Sequence, residues 1–102
     1  MVLQPRNLRR WILNIAHKNY PHELSERVIG LTLADLSYSV SAGELAIHLA
    51  YLEEKGYVAR SEAGNQELGE SRALVRLTAK GKDLLEHNIP DDPGIDTSGP
   101  LR

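Results

Sequence analysis

The spacing of apolar residues changes along the chain, and this change limits the folds that the sequence can adopt. As far as residue 55, leucine, isoleucine and alanine recur every three or four positions, which is the period of an amphipathic helix. From Ser71 to Leu77, alanine, valine and leucine alternate with the other residues, which is the period of a strand with one buried face. The order of these two periods predicts helices first and a small sheet afterwards.

The first predicted helix carries its apolar stripe from Leu8 onwards. It should end near Asn19, because Pro21 disfavours helical backbone at the residue before it. Arg10 and Asn14 fall outside the stripe, so we expect them on the solvent side.

Two further helices begin at serines that are suited to cap a helix. Ser25 caps the second, with Leu24 positioned to pack on Ile29 and with Leu36 on the inner face of the helix. Ser41 is followed three residues later by Glu44, which is the spacing of a capping box, and the third helix runs from there. Gly56 ends it, because glycine readily adopts the positive φ that a chain needs on leaving a helix.

A hairpin and a short helix complete the predicted domain. Strands over 57–61 and 71–77 flank a polar loop, and Thr78 caps a last helix that extends to about Asn88. Residues 89–102 are short, polar and rich in proline and glycine, so they are predicted to form a flexible tail. The domain is therefore expected to span residues 1–88.

Composition excludes several classes of protein. The chain has no cysteine, so it has no disulfides or thiolate metal sites. It has no apolar run long enough to cross a membrane and no signal-peptide pattern, which makes a cytoplasmic location the expectation. The four histidines lack metal-ligand spacing, and the glycines form no phosphate-binding loop. We therefore predict a protein that is not an enzyme and has no cofactor.

The charge is unevenly distributed although the net charge is only −2. Residues 1–20 carry four basic and no acidic side chains, whereas residues 21–56 carry two basic and six acidic ones. The basic cluster consists of Arg6, Arg9, Arg10 and Lys18, which are candidates to bind phosphate or an acidic partner, or simply form a solvated helix face.

Two segments carry motifs of a known class of protein. They are residues 49–60, with the sequence LAYLEEKGYVAR, and residues 75–85, with the sequence VRLTAKGKDLL. The first resembles the end of the recognition helix and the first wing strand of winged helix-turn-helix proteins, and the second resembles their second wing strand and final helix. The resemblance implies a mainly α fold with a small β-hairpin: a three-helix core, a wing of two or three strands, and a C-terminal helix.

A second resemblance is to short winged-helix proteins of Mu-like prophages. It is carried by residues 24–27 (LSER), 51–56 (YLEEKG) and 92–95 (DPGI), and it bears only on the origin of the chain.

The winged-helix resemblance implies a nucleic-acid surface on the third helix, the turn before it and the wing. Recognition helices of this class enter the major groove, and wings contact the neighbouring backbone or minor groove. Arg60 is expected to lie across the hairpin from Arg72 and Arg76. The implied contact residues are Ser39, Ser41, Gly43, Ile47, His48, Tyr51, Arg60, Arg72 and Arg76.

The resemblance favours a DNA-binding regulator of transcription that acts as a homodimer on double-stranded DNA. An alternative stays open, in which the winged helix binds another protein and no specific DNA. The predicted third helix contains three glutamates and one lysine, and it therefore lacks the arginine that most often reads guanine.

Overall fold

A computed structural model of the chain describes residues 3–64 and 72–98. The elements follow the order α1 (Pro5–Lys18), β1 (Leu24–Ser25), α2 (Glu26–Asp35), α3 (Ala42–Glu54), β2 (Val58–Ala63), β3 (Arg72–Leu77) and α4 (Ala79–Leu85). The predicted mainly α fold with a β-hairpin is confirmed. Residues 65–70 of the loop predicted at 63–70, and residue 71 of the predicted second wing strand, lie outside the described residues.

The sheet has three antiparallel strands in the order β1-β3-β2. The two-residue strand β1 pairs Leu24 with Val75, which ties the turn between α1 and α2 to the wing. Strand β3 buries Val75 and Leu77, as the alternation predicted. The small sheet therefore consists of the two wing strands and this two-residue strand.

A single aliphatic core lies between the helices and the sheet. Each element contributes buried side chains, and the fully buried ones include Ile12 and Leu13 of α1, Ile29 and Leu33 of α2, and Leu49 of α3. Burial of this apolar area is the main stabilising contribution in a domain of this size.

The predicted helix caps are confirmed at all three positions. The side-chain oxygens of Ser25, Ser41 and Thr78 accept hydrogen bonds from the backbone N–H groups of Val28, Glu44 and Gly81. Gly56 follows α3 with φ of 84°, as the sequence indicated. Local sequence therefore sets where these helices begin and where α3 ends.

Three side chains of the helices are placed differently from the prediction. Arg10 and Asn14 are buried at 7% and 2% exposure, because α1 is covered on a second side as well as by the core. Leu36 is 42% exposed, since α2 ends at Asp35 and this residue has already left the inner face of the helix.

The cover on α1 is the C-terminal strap, residues 91–98, which was expected to belong to a flexible tail. In the structure Ile95 is fully buried in the core, and Asp92 and Thr97 are buried beside it. The tail expectation is wrong for residues 89–98, because one isoleucine finds an apolar site that the folded helices leave open. The last four residues lie outside the described chain.

Candidate nucleic-acid interface

The N-terminal half of α3 presents an uncovered face. Leu45, Leu49 and Leu52 anchor the helix in the core, and Gly43 and Ile47 point away from it. Ile47 is 68% exposed, and a Cβ on Gly43 would have only the Ser41 hydroxyl nearby, at 4.0 Å. Such a face allows another molecule to approach the helix backbone closely.

The turn before α3 continues this face. Ser39 and Ser41 are exposed and line one shallow depression together with Glu44. The Ser41 hydroxyl is occupied, because it accepts a hydrogen bond from the Glu44 N–H at 3.1 Å. Four predicted residues, Ser39, Ser41, Gly43 and Ile47, are thus brought together on one surface.

His48 and Tyr51 lie on a flank of α3 that faces α1. The guanidinium of Arg9 stacks on the Tyr51 ring at 3.9 Å and donates a hydrogen bond from Nε to His48 Nδ1 at 3.2 Å. Burial and the positive charge of Arg9 lower the pKa of His48, and the carboxylate of Glu44 opposes this only in part. A neutral His48 that accepts a hydrogen bond from arginine adds no positive charge toward a phosphate.

The arginines of α1 hold the C-terminal strap. Arg6 Nε donates to the carbonyl of Pro93, Arg9 to that of Gly94 and Arg10 to that of Asp96, at 2.9, 2.9 and 3.0 Å. The predicted basic cluster is therefore engaged within the molecule, except for Lys18, which lies exposed at the other end of the helix.

A buried carboxylate fixes the strap to the end of α3. Asp92 accepts hydrogen bonds from the Tyr57 hydroxyl and the Gly94 N–H, both at 2.8 Å, and Lys55 lies 3.5 Å away. Burial raises the pKa of Asp92, but these three donors outweigh it and the net shift is downward. Burial and the same carboxylate raise the pKa of Tyr57 to about 12.

The lowered pKa of Asp92 makes part of the stability dependent on pH. The contribution of this carboxylate is fully present above its ordinary pKa of 3.8 and is lost as the pH falls through the lowered value. We expect Asp92→Asn to be less stable than the parent at neutral pH and to lose less stability on acidification. Urea titrations across this range test it, with the exposed Asp91→Asn as the control. Equal acid sensitivity of the parent and Asp92→Asn would contradict the assignment.

Arg60 lies on the opposite face of the wing from Arg72 and Arg76. Arg60 pairs with Val75 in the sheet, so its side chain is on the core side. Its guanidinium contacts Glu26 at 2.7 Å and Glu53 at 3.8 Å. The expectation that Arg60 lies across from the wing arginines is wrong, because the observed register offsets it by one residue.

Arg72 and Arg76 remain on the solvent side of the wing. Arg72 is exposed, and no carboxylate of residues 3–64 or 72–98 forms an ion pair with it. Arg76 is half-buried and donates to the carbonyl of Leu77 at 3.4 Å. Arg72 is thus the wing cation that is better placed to reach a partner.

Sequence reasoning missed Arg27. It is exposed on the first turn of α2 and lines a depression with Ser41 and Ala42 at the start of α3. Within the described chain it has no ion-pair partner. Its position two residues after the Ser25 cap was a usable signal, because the N-terminal end of this helix lies next to the recognition helix in a helix-turn-helix.

The described residues show neither a metal site nor a membrane-spanning helix. Among residues 3–64 and 72–98, no group of three His, Asp or Glu side chains is arranged to hold a metal ion. No helix in this part of the chain combines the length and hydrophobicity needed to cross a membrane.

The arrangement of α2, the turn, α3 and the hairpin defines a winged helix-turn-helix. Solved structures share it: a PadR family transcription regulator from Clostridium difficile is 22% identical with a TM-score of 0.62 over 76% of this chain and 81% of that one. The transcriptional regulator YodB from Bacillus subtilis, in its reduced form, is 20% identical with a TM-score of 0.60 over 78% of this chain and 69% of that one.

A third similar structure is PadR from Bacillus subtilis in complex with operator DNA. It is 20% identical with a TM-score of 0.65, and the match covers 94% of this chain but only 54% of that one. No protein-family model and no curated protein matches the sequence. The winged-helix fold expected from the sequence is confirmed, whereas the prophage origin and the individual contact residues stay predictions.

Proposed function

We propose that this protein is a DNA-binding regulator of transcription that acts as a non-enzymatic homodimer in the cytoplasm. The observation that carries the proposal is the uncovered N-terminal face of α3, held rigidly on a buried leucine stripe within a winged helix-turn-helix. A structure with a TM-score of 0.65 to this one was determined with operator DNA.

We assign roles to four residues of the proposed interface and to Arg60 beside it. The absence of a side chain at Gly43 lets α3 approach the base edges, and Ile47 makes an apolar contact with a thymine methyl group. Arg27 and Arg72 bind phosphates on either side of the groove and set the register of the protein on the duplex. Arg60 is a positioning residue that neutralises Glu26 and Glu53 beside the interface.

Affinity for DNA should be weak, and its dependence on salt should be shallow. Glu44 and Glu54 are exposed on α3, and the arginines of α1 are held by the strap, so few cations face the DNA. We expect a Kd of about 10⁻⁴–10⁻⁶ M for random duplex at physiological salt.

Arg27→Ala and Arg72→Ala should each flatten the slope of log affinity against log salt by about one unit for random duplex DNA, and weaken all sequences alike. Fluorescence polarisation of a labelled duplex measures this. Lys82→Ala is the matched control, because Lys82 lies on α4 and pairs with Glu86 at 2.9 Å. An unchanged slope in both arginine variants would exclude this interface.

The exposed isoleucine keeps the second candidate function open. Ile47 stands on a helix whose exposed charged neighbours include Glu44 and Glu54, and such a face also suits a protein partner. His48 and Tyr51 do not distinguish the two functions, because both contact Arg9, which in turn binds the strap. Absence of any salt-dependent DNA binding would favour the protein-interaction module.

A further inference from the structure

Three arginines of α1 lie on one face of the helix, and the C-terminal strap lies across that face. Arg6, Arg9 and Arg10 follow the spacing i, i+3 and i+4, which places their side chains next to one another. Each donates a hydrogen bond to a backbone carbonyl of the strap, at 2.9, 2.9 and 3.0 Å. The strap therefore occupies the face that carries three of the four cations of residues 1–20.

The strap is opposite in charge to the helix that it covers. Residues 91–98 contain three aspartates and no lysine or arginine, whereas residues 1–20 contain four lysine and arginine side chains and no acidic one. Hydrogen bonds from Ser98 lower the pKa of Asp96, and the positive charges of Arg6 and Arg10 lower it further. An acidic segment thus lies on the basic surface that would otherwise attract a polyanion.

The strap also adjoins one flank of the candidate recognition helix. Gly94 lies directly against Tyr51 of α3, since a Cβ on Gly94 would overlap the Tyr51 hydroxyl. The guanidinium of Arg9, which binds the Gly94 carbonyl, stacks on the Tyr51 ring and donates a hydrogen bond to His48. Arg9 therefore connects the strap to the helix that we propose to enter the major groove.

The acceptors that the strap offers to these arginines are neutral carbonyls. A hydrogen bond from arginine to a phosphate is charge-assisted and about twice as strong as one between neutral groups. A duplex that reaches this face therefore competes for the arginines. It must also displace Ile95, which is fully buried, and Asp92, which accepts a hydrogen bond from Tyr57. These two contacts determine how firmly the strap is held.

We propose that the strap is an autoinhibitory segment, which lowers the affinity for DNA because it competes with phosphates for the arginines of α1. When the strap is displaced, Arg9 and Arg10 join Arg27 and Arg72 as phosphate contacts. The fraction of molecules with a displaced strap then sets how much the α1 arginines contribute to the observed affinity. This inference rests on the proposed DNA-binding function and adds its regulation.

Ile95→Ala should loosen the strap without changing any charge. We expect the affinity for a random duplex to rise about tenfold or more, and the slope of log affinity against log salt to steepen by about one unit for each arginine released. Fluorescence polarisation with the full chain at several salt concentrations measures both. Hydrogen exchange of the Asp96 amide, which donates to the Arg6 carbonyl at 3.2 Å, reports displacement of the strap without DNA.

Asp92→Asn loosens the strap at a different contact, and Asp91→Asn is its matched control. Each removes one negative charge from the strap, but Asp91 is exposed, whereas Asp92 is buried and bound to Tyr57 and Gly94. Asp92→Asn should gain affinity and slope, and Asp91→Asn should stay close to the parent. Leu84→Ala is the control for lost stability, because Leu84 is fully buried on α4, which carries no proposed DNA contact. It should bind DNA as the parent does.

Arg9→Ala in the Ile95→Ala background tests which cation is released, and it should flatten the slope by about one unit. An unchanged slope in this double variant, or equal gains in Ile95→Ala and Leu84→Ala, would overturn the autoinhibition. Parental exchange of the Asp96 amide in both loosened variants would overturn it too, since neither contact would then hold the strap.

The same measurements separate the regulation from the function on which it rests. Loosened variants that exchange the Asp96 amide faster, yet bind DNA with the parental affinity and slope, would overturn only the autoinhibition. The DNA-binding function would then stand on the effects of Arg27→Ala and Arg72→Ala. Absence of DNA binding by the parent and by every variant would overturn both, whereas binding by the loosened variants alone would support the strap as the inhibitor.

Discussion

Gly81→Ala should destabilise the protein by about 3 kcal/mol or more, because the added methyl group has no space. A Cβ on Gly81 would lie 2.2 Å from the carbonyl oxygen of Tyr57 and 2.7 Å from a methyl group of Leu77. The Tyr57 carbonyl already accepts a hydrogen bond from the Thr78 N–H at 3.0 Å. Helix α4 must therefore move away from the start of the wing, and this junction must open.

Gly43→Ala is the matched control for this change. The nearest neighbour of a Cβ there is the Ser41 hydroxyl at 4.0 Å, and the position is helical and exposed. Alanine should then stabilise the helix by about 0.5–1 kcal/mol. Urea titration of both variants gives the two free energies of unfolding. A cost below about 1 kcal/mol for Gly81→Ala would show that α4 does not pack directly on the Tyr57 backbone.

Ile95→Ala should cost about 2–5 kcal/mol of the free energy of unfolding, which is the range for truncating a fully buried isoleucine. Ile95 has no exposed surface, and the strap that carries it is bound by the arginines of α1. In a domain with a total stability of about 5–15 kcal/mol, this is a large loss.

Ile47→Ala removes the same atoms from a position that is 68% exposed, so it should change stability by less than about 0.5 kcal/mol. Urea denaturation of the two variants makes the comparison. Hydrogen exchange of the Ile95 amide provides a second readout, because this N–H donates to the carbonyl of Asp92 at 3.1 Å. Similar small losses in both variants would contradict the burial of Ile95 and place the domain boundary at residue 88.

The importance of Gly81 and Ile95 could be predicted from the sequence to different degrees. Gly81 belongs to a segment that resembled the wing and final helix of this class, yet the reason for glycine there is the approach of the Tyr57 backbone. Ile95 lay in a polar, proline-rich segment without a periodic pattern. A single apolar residue forms no periodic pattern in the sequence. Its burial is therefore evident only from the site that it fills in the folded structure.

The residues of the proposed DNA interface also differ in how much the sequence predicted about them. Ser41, Gly43 and Ile47 were identified correctly as outward-facing, because helix period and capping decide which way a side chain points. The partners of Arg9 and Arg60 were not identified, because they come from segments distant in the chain. Arg9 bonds to His48 and Gly94, and Arg60 bonds to Glu26.

The sequence by itself determined the order of elements, their caps and the faces that α3 and β3 bury. These are local properties, set by side-chain period and by hydrogen bonds between residues a few positions apart. Only the tertiary structure decided which charges remain available. Three of the four cations in the first twenty residues bind the strap, Arg60 binds two glutamates, and Arg27 and Arg72 are left exposed. The physical reason is that a charged side chain takes its partner from whatever the fold brings within about 4 Å, and this distance does not depend on separation along the chain.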